Sequence, residues 1–396
     1  MYNQKAYELG TVGSIIRDLH AYGCARAEEV GPENVYDFTI GNPSIPAPEQ
    51  VQDTIRALLD ANDPLRLHSY TSEAGLQETR QAIADDLNTR YGVGAEANQL
   101  FLTCGAAPAI CAVFHALAVP GAKILAIAPF FPEYRPYVEQ TGAEFAVVPP
   151  DMPNFQIRLD KVEEMLTPGT VAIIVNSPNN PSGAVYTKQT LEQLAALLHK
   201  KAEEFGHPIY IVADEPYREL VYGDAEVPFI PNIYPDTVVC YSYSKSLSLP
   251  GQRIGYVYVP GQATDSKQIL AAVGGAARYL GHICAPSLSQ QIIAKCAHLR
   301  PDLASYDQNR KTLYEGLLQA GYQVAKPDGA FYVFVKAPGG SAAEFSEFAK
   351  QYGLLVVPGD DFGCSEYFRA CYCISHEQIQ RSLPVFAQVL QDFQKR

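Results

Sequence analysis

From about residue 75 to residue 260 the chain repeats one pattern, a short continuous apolar run followed by a longer stretch of helical spacing. The runs are QLFLTC (99–104), KILAIAP (123–129), VAIIVNSP (171–178), PIYIVADEP (208–216), TVVCYSYSK (237–245) and RIGYVYVP (253–260). None alternates apolar with polar residues, as a strand with one wet face would. Each therefore reads as a strand covered on both sides. The segments between them, such as Glu78 to Arg90 and Leu191 to Phe205, carry helical periodicity. Strands alternating with helices predict an α/β domain around a mostly parallel sheet.

After about residue 284 the pattern changes. A long helical stretch from Ser287 to Ala320 precedes FYVFVKAP, LLVVPG and YFRACYCIS, and an amphipathic helix interrupted at Pro384 closes the chain. Elements clustered this way predict a smaller α+β domain. A chain of 396 residues also exceeds what one core ordinarily holds. The expected division is an N-terminal arm with part of the small domain (1–45), a large domain (46–284) and a small C-terminal domain (285–396).

With net charge −13 and pI about 5.1, the chain is a poor nucleic-acid binder. Nine cysteines without a CxxC pair argue against a zinc site and against a disulfide framework. Reduced thiols in a cytoplasmic protein fit best. Cys371 and Cys373 share one face of an expected strand and read as core thiols. The start, MYNQKAYELG, lacks the basic and apolar segments of a signal peptide, and no apolar stretch is long enough for a membrane span.

Four polar motifs sit where apolar runs end: TCGAAPA, NSPNNPSG, ADEPY and SYSK. In an open α/β sheet ligands bind at the carboxyl ends of strands, so these motifs are expected to face one crevice. Lys245, among Ser242, Ser244 and Ser246, is placed to form a Schiff base with an aldehyde cofactor such as pyridoxal 5'-phosphate. Once freed, it would move a proton at a substrate α-carbon. The alternative is a solvated surface lysine. Asp214 would hold the protonated pyridine nitrogen and keep the ring an electron sink. A helix-capping aspartate is the plain alternative, and Glu215 competes for the role. Tyr217 and the Asn180 amide would bond the cofactor's phenolic oxygen, although NSPNNPSG is also simply a turn.

Thr103 to Ala107 follows a strand and opens a helix from Ala107 to Ala118. The small residues Gly105, Ala106 and Ala107 would let backbone N–H groups approach a phosphate. Ser242, Ser244 and Arg253 would complete that pocket, unless Arg253 is a surface ion-pairing residue. Phe131 would stack on the pyridine ring or else pack in the core. Arg369 lies in an otherwise apolar strand, where a charge is costly unless paired. Its partner is either a substrate α-carboxylate, gripped bidentately, or a structural acid such as Glu366 or Asp361.

In order, GNP, TCGAA, PFFPEY, NSPNNPSG, DEPY, SYSK with Arg253, and the FR of Arg369 resemble the class I/II aminotransferases, pyridoxal-phosphate enzymes of the aspartate-aminotransferase fold (fold type I). The resemblance runs from about Asp37 to the end. It implies the roles given above, a Gly41 backbone N–H on the substrate carboxylate, and a homodimer in which Tyr70 reaches the neighbouring subunit's phosphate. Phe131 stands where relatives carry Trp or Tyr, and Ala106 and Ala107 where many carry a hydroxyl. Ala107 also replaces a lysine used by one aspartate-specific branch. Arg278 is a weaker candidate for a distal carboxylate.

The expected activity is transfer of an amino group from an L-amino acid to a 2-oxo acid, with 2-oxoglutarate the default acceptor. A C–S β-lyase would use the same machinery up to the carbanion. A DNA-binding regulator of this fold would need a further N-terminal domain. The arm from Tyr7 to Gly23 and the partner chain are expected to shape side-chain specificity.

Overall fold

The computed structural model describes residues 1–11, 15–61 and 64–396. Positions 12–14 of the N-terminal arm lie outside the described residues. The twelve strands are β1 (Tyr36–Asp37), β2 (Leu100–Thr103), β3 (Lys123–Ile127), β4 (Glu144–Val148), β5 (Thr170–Asn176), β6 (Tyr210–Asp214), β7 (Thr237–Ser242), β8 (Gly255–Tyr258), β9 (Tyr332–Lys336), β10 (Leu354–Leu355), β11 (Val357–Pro358) and β12 (Tyr367–Cys371) among the described residues.

Seven of them form one sheet in the order β2-β8-β7-β6-β5-β3-β4. Only β8 runs against the rest, pairing antiparallel with both β2 and β7. The six apolar runs are β2, β3, β5, β6, β7 and β8. All are buried along their length except the first residue of β3 and the second of β5, because helices cover both faces. One face packs Ile211, Val239 and Tyr256 against the helices Gln77–Tyr91 and Lys188–Phe205; the other packs Val212, Val238 and Val257 against the helix Ala106–Leu117. The sequence pattern missed β4, an edge strand whose residues are mostly half-exposed and so form no continuous apolar run.

A second, smaller unit is built on the antiparallel sheet β11-β12-β9. The helices Leu303–Ala320 and His376–Phe393 pack against each other over its core, which holds Leu313, Val333 and Phe386. The N-terminal strand β1 pairs with β10, so the start of the chain joins this unit.

Two helical expectations change. The stretch from Ser287 to Ala320 is two helices, Ser287–Cys296 and Leu303–Ala320. Pro301 disfavours helix at Arg300, and Asp302 then caps the second helix by accepting from the Ser305 N–H. At Pro384 the opposite occurs, and the helix runs through the proline. Buried Ile379 and Phe386 on either side hold it in place, so packing outweighs the lost hydrogen bond. The helix Ser287–Cys296 lies on the large-sheet side, against Glu49–Ala61 and Gln77–Tyr91.

Candidate active site

Parallel strands bring their ends to one edge, and here that edge collects the polar motifs. Asn176 of β5 is level with Asp214 of β6, and its side-chain amide donates to the Asp214 carbonyl at 2.8 Å. Ser242 of β7 and Thr103 of β2 both lie opposite Gly255 of β8. Because β8 is antiparallel, Arg253 arrives at the same edge from the start of a strand rather than its end.

Asp214 is buried. Its Oδ2 accepts a short hydrogen bond from the Tyr134 hydroxyl, while Oδ1 has no partner. Burial pushes its carboxyl up to about 7; the Tyr134 donor opposes that shift and Glu215 adds to it. An unpaired buried carboxylate oxygen calls for a donor, and a protonated ring nitrogen is one. Glu215, the rival, is committed to an ion pair with Arg218.

Lys245 belongs to the short helix Tyr243–Ser246, which Ser242 caps by accepting from the Ser244 N–H. Its Nζ donates to the Gly41 carbonyl and lies 5.3 Å from the Phe331 ring centre. Burial lowers its pKa, which favours the free amine a Schiff base needs. Lys245 is thus not a solvated surface lysine.

Ser242 Oγ and Ser244 Oγ are 2.7 Å apart, whereas the Tyr241 hydroxyl donates to Ser246, away from the pair. Gly105 precedes the helix Ala106–Leu117 with φ 101°, and a Cβ there would come 2.9 Å from Arg253 Nη2. At that positive φ any other side chain would be strained, so the position favours glycine. Ala106 and Ala107 supply the first helical N–H groups. Two hydroxyls, an arginine and a helix start are the kinds of donor that a phosphate takes.

Arg369 is 2% exposed, and no carboxylate forms an ion pair with it among the described residues. Nη1 donates to Asn180 Oδ1 at 2.9 Å, Nη2 to the Thr39 carbonyl, and Nε has no partner. Neither Glu366 nor Asp361 is its partner. The Tyr332 and Phe362 rings sit at 4.6 and 5.1 Å from the guanidinium. Asn180 thus touches Arg369 with its oxygen and keeps its amide nitrogen as a donor. Tyr217 shares a 3.0 Å hydrogen bond with the Tyr332 hydroxyl. A Cβ at Gly41 would fall 2.1 Å from that same hydroxyl, so the glycine lets the strand-end segment approach.

Phe131 follows β3 and packs edge-on against Tyr134 at 5.6 Å. Tyr70 is 90% exposed, extending from the body of the chain. Arg278 is exposed in the last turn of the helix Ser266–Tyr279. Two residues of this site escaped the sequence reading. Tyr134 lies three positions past Phe131 in PFFPEY, where nothing in the string separates it from the other aromatics. Tyr332 lies in an apolar run, where only its hydroxyl marks it out.

This is a fold-type-I architecture with a site for a phosphorylated pyridine aldehyde. The model for "Aminotransferase class I and II" matches residues 33–385. The chain belongs to that family, and is a pyridoxal-phosphate-dependent aminotransferase. A solved amino transferase from Eubacterium rectale is 49% identical, with TM-score 0.97 over 99% of each chain. The aspartate/prephenate aminotransferase of Thermus thermophilus is 30% identical over 89% of this chain and 90% of its own length. The probable N-acetyl-LL-diaminopimelate aminotransferase of Bacillus subtilis is 29% identical, covering 89% and 88%.

Proposed function

We propose that Lys245 holds pyridoxal phosphate through its aldehyde carbon and then moves the proton at the substrate α-carbon. When bound, the cofactor supplies an aldehyde that captures amines and a ring that takes up an electron pair. Asp214 holds the ring nitrogen through its unpaired Oδ1, and Phe131 stacks on the ring. Tyr217 and the Asn180 amide bond the phenolic oxygen. Ser242, Arg253 and the N–H groups of Gly105 to Ala107 bind the phosphate. Arg369, with the Gly41 N–H, orients the substrate's α-carboxylate.

The observation that carries this reading is Arg369. A guanidinium this buried, without an acid to pair with, is costly unless a ligand brings the missing anion.

The substrates are an L-amino acid and a 2-oxo acid, with 2-oxoglutarate the proposed acceptor. The relatives reported above bear the names of aminotransferases rather than C–S lyases, which supports transfer over elimination. The exposed Tyr70 supports a homodimer in which it completes the partner's phosphate site. We place the enzyme in the cytoplasm, in keeping with its free cysteines. We draw the second domain boundary after the helix Ser287–Cys296, because that helix packs with the large unit.

Single-turnover measurements test this. Holoenzyme mixed with one amino acid and no oxo acid should release one equivalent of the matching 2-oxo acid per subunit, without ammonia. Continuous release of pyruvate and ammonia from a cysteine thioether would overturn it in favour of the lyase.

A further inference from the structure

One buried pair of nucleophiles has no part in the chemistry above. Cys371 ends β12 and Cys373 follows two residues later, both buried. Their sulfurs lie 2.7 Å apart, well inside ordinary non-bonded separation. Both thiols are free.

Their surroundings tie them to the substrate side of the site. The segment Phe38–Gly41 is held on β12 and the residues just after it by three successive contacts: the Cys371 N–H to the Phe38 carbonyl at 2.9 Å, Arg369 to the Thr39 carbonyl, and the Cys373 thiol to the Ile40 carbonyl at 3.7 Å. The next carbonyl, Gly41, takes Lys245 Nζ. The cations also act on the thiols. Burial works against ionising Cys371, but the Cys373 thiol and N–H, Arg369 and Lys245 outweigh it and bring its pKa below the ordinary range. A thiolate beside a second thiol is the reactive partner in disulfide formation.

We propose that Cys371 and Cys373 form a reversible redox pair that switches the substrate side of the active site. The oxidant is a peroxide. The Cys371 thiolate attacks hydrogen peroxide, the O–O bond breaks and one water leaves with a proton from solvent. The Cys373 sulfur then displaces the second oxygen as water, its S–H proton leaving with it, so that one S–S bond forms, two electrons pass to the peroxide and two molecules of water result. The new bond removes the Cys373 donor from the Ile40 carbonyl and re-aims the side chain that ends the strand carrying Arg369. A bridge across only one intervening residue closes a tight ring, and strained disulfides are the ones thiols readily reduce. This inference rests on the reading of Arg369 and Gly41 as substrate ligands.

The test uses holoenzyme treated with hydrogen peroxide, then alkylated, digested and weighed, with steady-state kinetics on the same samples. The peptide containing Cys371 and Cys373 should be lighter than its reduced form by two hydrogen atoms and take up no alkyl group. KM for the amino acid should rise roughly tenfold and return after dithiothreitol. The Cys371→Ala and Cys373→Ser enzymes should start with normal KM and show no such change. Two results overturn the proposal: doubly alkylated peptide under conditions that oxidise the exposed Cys24, or a cross-link that leaves KM unchanged. An Arg369→Lys enzyme with unchanged KM would overturn instead the reading beneath it.

Discussion

Arg218 and Arg369 are both buried arginines, 4% and 2% exposed, in different halves of the molecule. Arg218, beyond β6, has what such a charge requires. It pairs with Glu215, donates to the Tyr256 hydroxyl at 3.2 Å, and lies 4.7 Å from the Tyr241 ring and 5.0 Å from that of Phe229. Arg369, in β12, has two neutral acceptors, two rings and, among the described residues, no acid. A buried cation with its counter-ion in place needs nothing further, whereas one without it is costly unless an anion arrives. Lys245 belongs with Arg369, since a carbonyl rather than an acid receives its amine.

The sharpest way to break this contrast is at Lys245. Its replacement by Ala should lower turnover by roughly ten-thousand-fold, the scale of general acid–base catalysis together with the lost covalent attachment. Thermal melting should be little changed; a large fall in melting temperature would make Lys245 structural after all.

Arg218 should behave in the reverse manner. Arg218→Met strands Glu215 and should cost about 3–5 kcal/mol of stability, read by urea unfolding. The Glu215→Gln/Arg218→Met double variant should regain much of that loss. At Arg369, Arg369→Lys keeps the charge but loses the two-pronged grip. It should lower kcat/KM by roughly 100-fold, about 3 kcal/mol, with unfolding free energy nearly unchanged. A large stability loss there would erase the distinction between the two arginines.

The mildest effect concerns Asp214 without cofactor. Its folded pKa, about 7, lies above its unfolded value, so the folded state binds the proton more tightly. Its contribution is complete below about pH 4 and is lost as pH rises towards 7, with a slope of at most about 1.4 kcal/mol per pH unit. Asp214→Asn should flatten that part of the apoprotein's stability profile. An unchanged profile would mean that another group carries the slope.

Much of the strand-end crevice, the proposed cofactor side, was legible in the chain. Gly105, Asn180, Asp214 and Lys245 each follow an apolar run, and a parallel sheet places such positions on one edge whatever the side chains between. The substrate half was less so. Arg369 announced itself as a charge in an apolar strand, but whether Glu366, Asp361 or a ligand answered it depended on how β12 packs. Glu215 and Asp214 are neighbours in sequence, and only the placement of Arg218 and Tyr134 separates their roles. Tyr332 and the Cys371–Cys373 contact carried no signal of function, because apolar strands hold tyrosines and cysteines for packing alone.

By itself the sequence determined the α/β alternation, the crevice at the strand ends and the identity of the amine and acid facing it, since these follow from local periodicity and chain direction. The tertiary structure decided which buried charges meet an acid and which meet only neutral acceptors, because the acceptors around Arg369 come from residues as distant in sequence as Thr39 and Asn180. It also decided where each helix stops or survives a proline. Backbone preference kept any helix from running through Pro301, and packing of Ile379 and Phe386 overrode it at Pro384.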